Sequence, residues 1–280
     1  MPRVTNIFSV DVEDWFHPSE LAAAAPRHKW PTLSARVEQS TRRVLDLLAA
    51  AGVRGTFFVL GWVAGRHPAL VREIARAGHE IACHSHWHRL VYDLTPDQFR
   101  DDTVHAVKAI EDACGVTPRA YRAPSYSITR RALWAADILA SLGFTHDSSI
   151  YPIQHDRYGI PGFPRHSSRI DTPSGPIVEV PPASVILGGA RVAPVGGGGY
   201  LRLLPYRYTA AGIRRVNHAE GQPACIYIHP WEIDHGQPRA AAGLVSSLRT
   251  YGGLRGMESK TRRLLQDFHW APLTEVVPAP

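Results

Sequence analysis

The stretch Gly55-Thr-Phe-Phe-Val-Leu-Gly61 is a continuous apolar run held between two glycines. A short run of this kind, rich in aromatic residues, reads as a strand covered on both faces. Its surroundings set the architecture. Residues 34–51 place Val37, Val44, Leu45 and Leu48 at helical spacing, with Gly52 as a stop. Residues 6–10 before them form a short β-rich run that ends in acids. After the central run, Pro68 opens a second helix that reaches Ala77 and closes at Gly78, and residues 79–83 read as the next strand.

The same alternation continues downstream. Thr95-Pro-Asp-Gln98 has the form of a helix start, with Thr as N-cap, Pro at the first position and Gln three residues after the cap. That helix runs to about Cys114, with Phe99, Thr103, Val107 and Ile110 on one face. A strand then leads to Arg122, and residues 129–142 read as a helix stopped by Gly143. A helix near 209–219, a strand over 224–228 and two helices near 240–250 and 258–268 complete the chain. Strands alternating with helices predict a parallel sheet with helices outside it, either open or closed into a barrel. Residues 150–200 break the rhythm and are rich in Pro and Gly. No Lys-Ser/Thr follows Gly196 to Gly199 and no GxGxxG spacing exists, so these glycines read as a flexible surface loop rather than a phosphate cradle. No internal repeat and no linker divides the 280 residues, which read as one domain over 1–280.

Composition narrows the function classes. The chain is 44% hydrophobic with a formal net charge of +6, which suits a globule with a substantial core. Its basic clusters are only pairs, such as Arg42-Arg43, Arg130-Arg131, Arg214-Arg215 and Arg262-Arg263. They fall in helix-like segments, where a solvated face explains them, and no nucleic-acid partner is expected. Cys83, Cys114 and Cys225 form no CxxC pair and no even framework, which excludes a disulfide scaffold and fits a reducing compartment. No apolar run approaches the roughly 18 residues of a membrane span. Asp11, Glu13 and Asp14 interrupt the first apolar stretch too early for a signal peptide. The expected location is therefore cytoplasmic, with no integral membrane segment.

Polar groups collect where the strands end, which is where parallel α/β folds place their ligands. Ser9-Val-Asp-Val-Glu-Asp-Trp15 puts three carboxylates within four residues, which repel one another unless exposed, metal-bound or partly protonated. An exposed acidic turn is the plain reading, weakened by its position directly after an apolar strand. His84-Ser-His-Trp-His88 puts three histidines in five residues. In a loop or helical turn His84 and His88 converge on one ion, leaving His86 to face away or support the site. Two imidazoles and a carboxylate make the ligand set of a metal hydrolase with open coordination positions. Tyr121-Arg-Ala-Pro-Ser-Tyr126 ends a strand with Arg122, which can orient a carboxylate, and Pro124 fixes a turn that can aim a backbone N–H. Ile226-Tyr-Ile-His229-Pro-Trp-Glu-Ile-Asp234 closes a buried strand with a histidine. Trp15, Trp87 and Trp231 lie beside these segments, where they either stack on a bound substrate or pack in the core.

Taken in order, the four segments resemble the polysaccharide deacetylase family, also called the NodB-homology or carbohydrate esterase 4 family. Val10-Asp-Val-Glu-Asp14 is similar to its first motif, T-F-D-D. His84-Ser-His-Trp-His88 matches H-[ST]-x-x-H, Arg122-Ala-Pro-Ser125 matches R-x-P-x, and Ile226-Tyr-Ile-His229 is similar to the terminal L-x-H type. Asp11-Val-Glu-Asp-Trp-Phe-His17, Asp147-Ser-Ser-Ile150, the His229 to Asp234 segment and the tail from Lys260 to Val276 look like the subgroup found with exosortase-linked exopolysaccharide loci.

The resemblance implies an α/β fold, a distorted (β/α)7-type barrel with additional C-terminal helices, and a subgroup-specific extension over about 200–280. It implies a divalent metal, zinc, held by His84, His88 and one carboxylate, with removal of N-acetyl groups from amino sugars of a polysaccharide or oligosaccharide in exopolysaccharide biosynthesis. Asp11 would then be the general base, held by Arg122. The Ser125 N–H would bind the oxyanion, His229 would be the general acid, and Asp147 would support them. A place peripheral to an export machinery would follow. The departure from the D-D pair leaves two candidate ligands. Strand alternation puts Asp11 and Glu13 on one face and favours Glu13; the family's usual aspartate favours Asp14 if a bulge turns the chain. Two other readings stand beside deacetylation: hydrolysis of a small cyclic or linear amide on the same scaffold, and glycan binding without catalysis.

Overall fold

The computed structural model describes residues 4–188, 191–240 and 243–280. The first half follows the βα alternation: β1 (Thr5–Val12), α1 (Val37–Ala51), β2 (Thr56–Val59), α2 (Gly61–Arg66), α3 (Pro68–Arg76), β3 (Glu80–Cys83), α4 (Pro96–Cys114), β4 (Ala120–Tyr121), α5 (Ala135–Ser141) and β5 (His146–Asp147). The second half holds β6 (Ser168–Thr172), β7 (Gly175–Glu179), β8 (Ser184–Leu187), β9 (Arg191–Pro194), α6 (Gly198–Leu203), α7 (Tyr206–His218), β10 (Cys225–Ile228), α8 (Leu244–Tyr251), α9 (Leu254–Asp267), β11 (His269–Ala271) and α10 (Leu273–Val276).

Helix boundaries lie where local chemistry puts them. Thr95 Oγ1 accepts from Gln98 N and Gln98 Oε1 accepts from Thr95 N, so the capping box opens α4 as its spelling requires. Gly52 and Gly115 end α1 and α4 in the left-handed region, at φ 64° and 75°. Residues 129–142 are not one helix. A 3-10 turn over Arg130–Ala132 precedes α5, which starts only at Ala135.

The main sheet runs β10-β1-β2-β3-β4-β5-β7-β6, with β11 also on β1. The seven strands from β10 to β7 are parallel, and β6 returns antiparallel on β7. Beyond β7 the chain comes back to the other edge, where Ala183 N donates to the Cys225 carbonyl at 2.8 Å. The sheet therefore curls into a distorted barrel. Alternation along β1 separates its two faces. Phe8, Val10 and Val12 join the large core under the helices, whereas Ile7 meets Phe58, Ala82, Ala120, Val178 and Cys225 in a smaller core inside the curl. Leu273 and Val277 from the C-terminal segment fill that inner core. Continuing the same alternation, Ser9 and Asp11 face inward at the carboxyl end of the strands.

Residues 150–200 differ most from their sequence reading. They hold β6 to β9 and the start of α6, short elements whose Pro and Gly punctuation hid their period. Gly196, Gly197 and Gly198 are buried rather than part of a surface loop. Gly197 has φ +59°, and a Cβ there would stand 1.8 Å from the Tyr227 carbonyl oxygen. These glycines let the chain lie directly on the backbone of β10.

Gly197→Ala should therefore lose about 2–4 kcal/mol of stability, from overpacking plus left-handed strain. Gly65→Ala, in α2 with open space around the position, should gain roughly 0.5–1 kcal/mol from helix propensity. Urea unfolding of both variants beside the parent checks the contrast.

Candidate metal centre and catalytic cavity

Each chemistry-bearing segment begins where a parallel strand stops. Asp11 and Glu13 stand at the end of β1, His84 follows β3, Arg122 follows β4 and His229 follows β10. Glu13 N donates to the Asp11 carbonyl at 2.9 Å, a tight turn that keeps both carboxylates on the cavity side. Glu13 Oε1 lies 3.1 Å from His84 Nε2 and 2.9 Å from His88 Nε2, and all three side chains are buried. These donor atoms lie within 4.8 Å of one another.

The group fits a divalent cation by more than proximity. His84 Nδ1 lies 2.8 Å from the Arg122 carbonyl, so it carries the proton and Nε2 is left as the free lone pair. Burial alone would raise the Glu13 pKa, but the charges of His88 and His229 and the hydrogen bond from His88 hold it well below the usual carboxylate range. The histidine loop is held from outside. Asp102 of α4 accepts from His86 N (2.7 Å) and Trp87 N (3.2 Å), while Ser85 Oγ accepts from His88 N. At the start of α2, Gly61 N and Trp62 N donate to the carbonyls of Ser85 and His86. This bracing carries Ser85 and His88 at positive φ, 62° and 50°. His86 turns away, onto Gly61.

Asp14 is not part of this group. Its carboxylate accepts from Trp15 N, Arg36 N and Val37 N, covering the first N–H groups of α1. Of the two candidate carboxylates, Glu13 alone meets the histidines.

Arg122 is fully buried and reaches Asp11 Oδ1 at 2.6 Å, Ser9 Oγ at 2.9 Å and Ser148 Oγ at 2.9 Å. Its contact with Asp11 uses one guanidinium nitrogen rather than a fork. The other Asp11 oxygen lies 3.8 Å from His229 Nε2, and the same histidine nitrogen lies 3.8 Å from Glu13 Oε1. On its far side His229 Nδ1 meets Glu232 Oε2 at 3.1 Å, and Glu232 Oε1 accepts from Arg202 at 3.0 Å. Burial works against the imidazolium, but Glu13 and then Glu232 raise the His229 pKa to about 9. Glu232 and Arg202 were missed by sequence reading. Glu232 sits in the His229 to Asp234 segment, three residues after the histidine, and that spacing at a turn was the available signal.

A cavity of about 440 Å³ opens over Asp11, Glu13, His88 and His229. Ser125 lines it at φ 52°, with its hydroxyl 2.9 Å from Ser19 Oγ. The aromatic wall is made of tyrosines: Tyr126, Tyr158, Tyr200 and Tyr227. Tyr158 and Tyr200 join hydroxyls at 3.2 Å, and His155 stacks on Tyr158 with centroids 3.8 Å apart. The tryptophans are placed otherwise. Trp15 is buried against Phe16 with its indole N–H on the Ser34 carbonyl, and does not reach the cavity. Trp87 is 40% exposed outside it. Trp231 borders the cavity, but its N–H donates to Glu13 Oε2 at 3.3 Å and its ring stacks on His229, so it braces the centre. Asp147 is also outside. It pairs with Glu179 across β5 and β7 and with Ser149 Oγ, and burial pushes its pKa up to about 7.

Comparison with known proteins bears on the same residues. Residues 30–146 match the family described as Polysaccharide deacetylase. Over that stretch the chain is similar to that family. Residues 148–278 match a second family, described as Domain of unknown function (DUF3473), and that stretch contributes Tyr200, Tyr227, His229 and Glu232 to the cavity. A chitooligosaccharide deacetylase of Bradyrhizobium sp. (strain ANU 289) is 37% identical over 102 residues, covering 36% of this chain and 44% of that protein. The chain thus spans less than half the length of that relative. A crystal structure of a putative polysaccharide deacetylase from Mycobacterium smegmatis superposes with a TM-score of 0.65 at 22% identity, covering 98% of this chain and 88% of the other. An allantoinase crystal structure gives the same TM-score at 15% identity, covering 98% and 89%. These two likenesses are of fold, and they agree with the curled α/β architecture.

Glu232→Gln should lower the midpoint of His229 from about 9, because the second-largest support of its charge is removed. A histidine held above its ordinary 6.5 stabilises the native state fully below that pH and loses the contribution as pH rises through about 9. The variant should lose it earlier on the alkaline side. NMR titration of the His229 ring measures both midpoints; identical values would remove Glu232 from the role.

Proposed function

We propose that the chain hydrolyses N-acetyl groups on the amino sugars of a polysaccharide or oligosaccharide, with a divalent metal, zinc, held by Glu13, His84 and His88. The observation that carries the reading is the pairing of Asp11 and His229, 3.8 Å apart beside that buried donor set, in a cavity walled by tyrosines. A cation held there supplies Lewis acidity, polarising the acetamide carbonyl and making water a better nucleophile.

The chain's own residues supply the proton transfers. Asp11, held in place by Arg122, takes a proton from the attacking water as its oxygen bonds to the acetyl carbon. The Ser125 N–H stabilises the negative charge that builds on the carbonyl oxygen. The His229 imidazolium, supported by Glu232, gives its Nε2 proton to the sugar nitrogen as the C–N bond breaks. The products are acetate and a free amine, and the Asp11 proton returns to His229 through solvent. The tyrosine wall suits sugar rings, which stack on aromatic faces and hydrogen-bond to phenol hydroxyls. Because both family matches contribute residues to one cavity, we read 1–280 as one catalytic unit. The resemblance to the exosortase-locus subgroup supports a glycan of exopolysaccharide biosynthesis as the substrate.

Incubation with a panel of N-acetylated oligosaccharides should release acetate and free amine in equal amounts. Activity on small cyclic or linear amides alone would favour the amide-hydrolase reading, and glycan binding without acetate would favour the binding reading. Chelation should abolish release while the folded signal persists, since the two cores do not depend on the ion. Asp11→Asn and His229→Ala should each cost about 10²–10⁴-fold in rate. Metal content should survive the His229 change; its loss there would show that the histidine has been given the wrong role.

A further inference from the structure

One helix beside the cavity is turned the wrong way for a protein meeting only water. α8 points Thr250 and Tyr251 inward and leaves Leu244, Val245 and Leu248 exposed by 91%, 65% and 62%. The apolar surface continues beyond the helix. A Cβ on Gly252 would lie 3.1 Å from Leu248 Cδ1 and 2.8 Å from Leu203 Cδ2, so these two leucines flank the same point. Leu203 is itself exposed and lines the cavity rim beside Arg249 and Thr250. Scattered exposed leucines are ordinary, but a contiguous group at the mouth of a cavity marks a contact surface.

The charge around this ridge identifies what it contacts. From His235 to Met257 the sequence holds Arg239, Arg249 and Arg255 and no Asp or Glu. All three arginines are exposed. Arg239 lies over the Tyr251 ring at 5.3 Å, and Arg249 has Asp156 at 3.4 Å from a neighbouring loop. Aliphatic side chains projecting from a short helix, in a stretch of sequence that carries arginines and no acid of its own, are the composition of an element that lies in the interface of an anionic bilayer. A second copy of the chain is a poorer occupant, because a two-fold contact would set the same arginines against each other. No helix among the described residues is long and apolar enough to cross a membrane.

We propose that the α8 face docks on an anionic lipid surface, with Leu244, Val245 and Leu248 in the acyl boundary and Arg239 and Arg255 among the headgroups. Docking places Leu203 and Arg249, and with them the cavity mouth, at the bilayer surface. If the site acts on glycans, those within its reach are then the ones held at a membrane. The surface is independent of the reaction, and its test reads binding alone.

The test is sedimentation of the full chain with phosphatidylcholine vesicles containing phosphatidylglycerol, beside vesicles of phosphatidylcholine alone. Binding is expected to the mixed vesicles, weakening as salt rises. The combined variant Leu244→Ser, Val245→Ser, Leu248→Ser should reduce partitioning about tenfold or more, because its apolar anchor is gone. Its melting temperature should stay near the parent's, because these side chains are already in water. Arg239→Gln with Arg255→Gln should weaken binding at low salt only. Absence of binding by the parent chain, or undiminished binding by the triple variant, would overturn the proposal. So would a dimer in light scattering that the triple variant dissolves without any vesicle binding.

Discussion

Arg122 is a fully buried cation, and the geometry of the cavity follows from how that charge is satisfied. Removing a guanidinium from water costs several kcal/mol unless its donors are met inside the protein. Here they are met by Asp11 and Ser9 on β1 and by the Ser148 hydroxyl and carbonyl after β5, while the flat face lies 4.0 Å from the centroid of Phe58 on β2. One side chain thus ties together strands whose ends carry the chemistry. Its own backbone carbonyl receives His84 Nδ1, so the residue that fixes Asp11 also fixes the tautomer of a histidine in the donor cluster. The small residues Ala82 and Ala120 on the inner face leave room for this arrangement.

The rest of the floor is a balance of charges on largely buried side chains. Asp11 is matched by Arg122, and Glu13 is surrounded by His84, His88, His229 and the Trp231 N–H. Glu232 is shared between His229 and Arg202, and Arg202 is held in turn by the Gly252 and Arg249 carbonyls. Removing any one carboxylate leaves a buried cation without its partner, which costs more than the intact pair contributes. The network also links α8 to His229, since Arg249 and Gly252 belong to the end of that helix.

Much of this was legible from strand periodicity. The inner face of β1 puts Ser9 and Asp11 together and, two residues on, Glu13, which is the alternation argument for Glu13 over Asp14. Asp14 falls on the other face and caps α1, a role that a sequence shows only once the helix entering there is known. The histidine spacing pointed to His84 and His88, but not to Asp102, which holds their loop from eighteen residues downstream of His84. What was not legible depends on contacts between distant segments. The cavity wall draws single tyrosines from four places in the chain, so no local pattern announces it, whereas the tryptophans that adjoin the motifs in sequence are used for bracing and packing. The buried glycines at 196–198 look like a loop because their constraint is the backbone of Tyr227, which lies far along the chain.

The central claim is that Glu13, rather than its neighbour, completes a metal site with His84 and His88. The direct measurement is the bound-metal content, by elemental analysis, of folded Glu13→Gln beside folded Asp14→Asn and the parent. The account predicts that Glu13→Gln loses the ion while Asp14→Asn keeps it, at the expense only of the start of α1. Loss of the ion in Asp14→Asn with retention in Glu13→Gln, or retention in both, would contradict it.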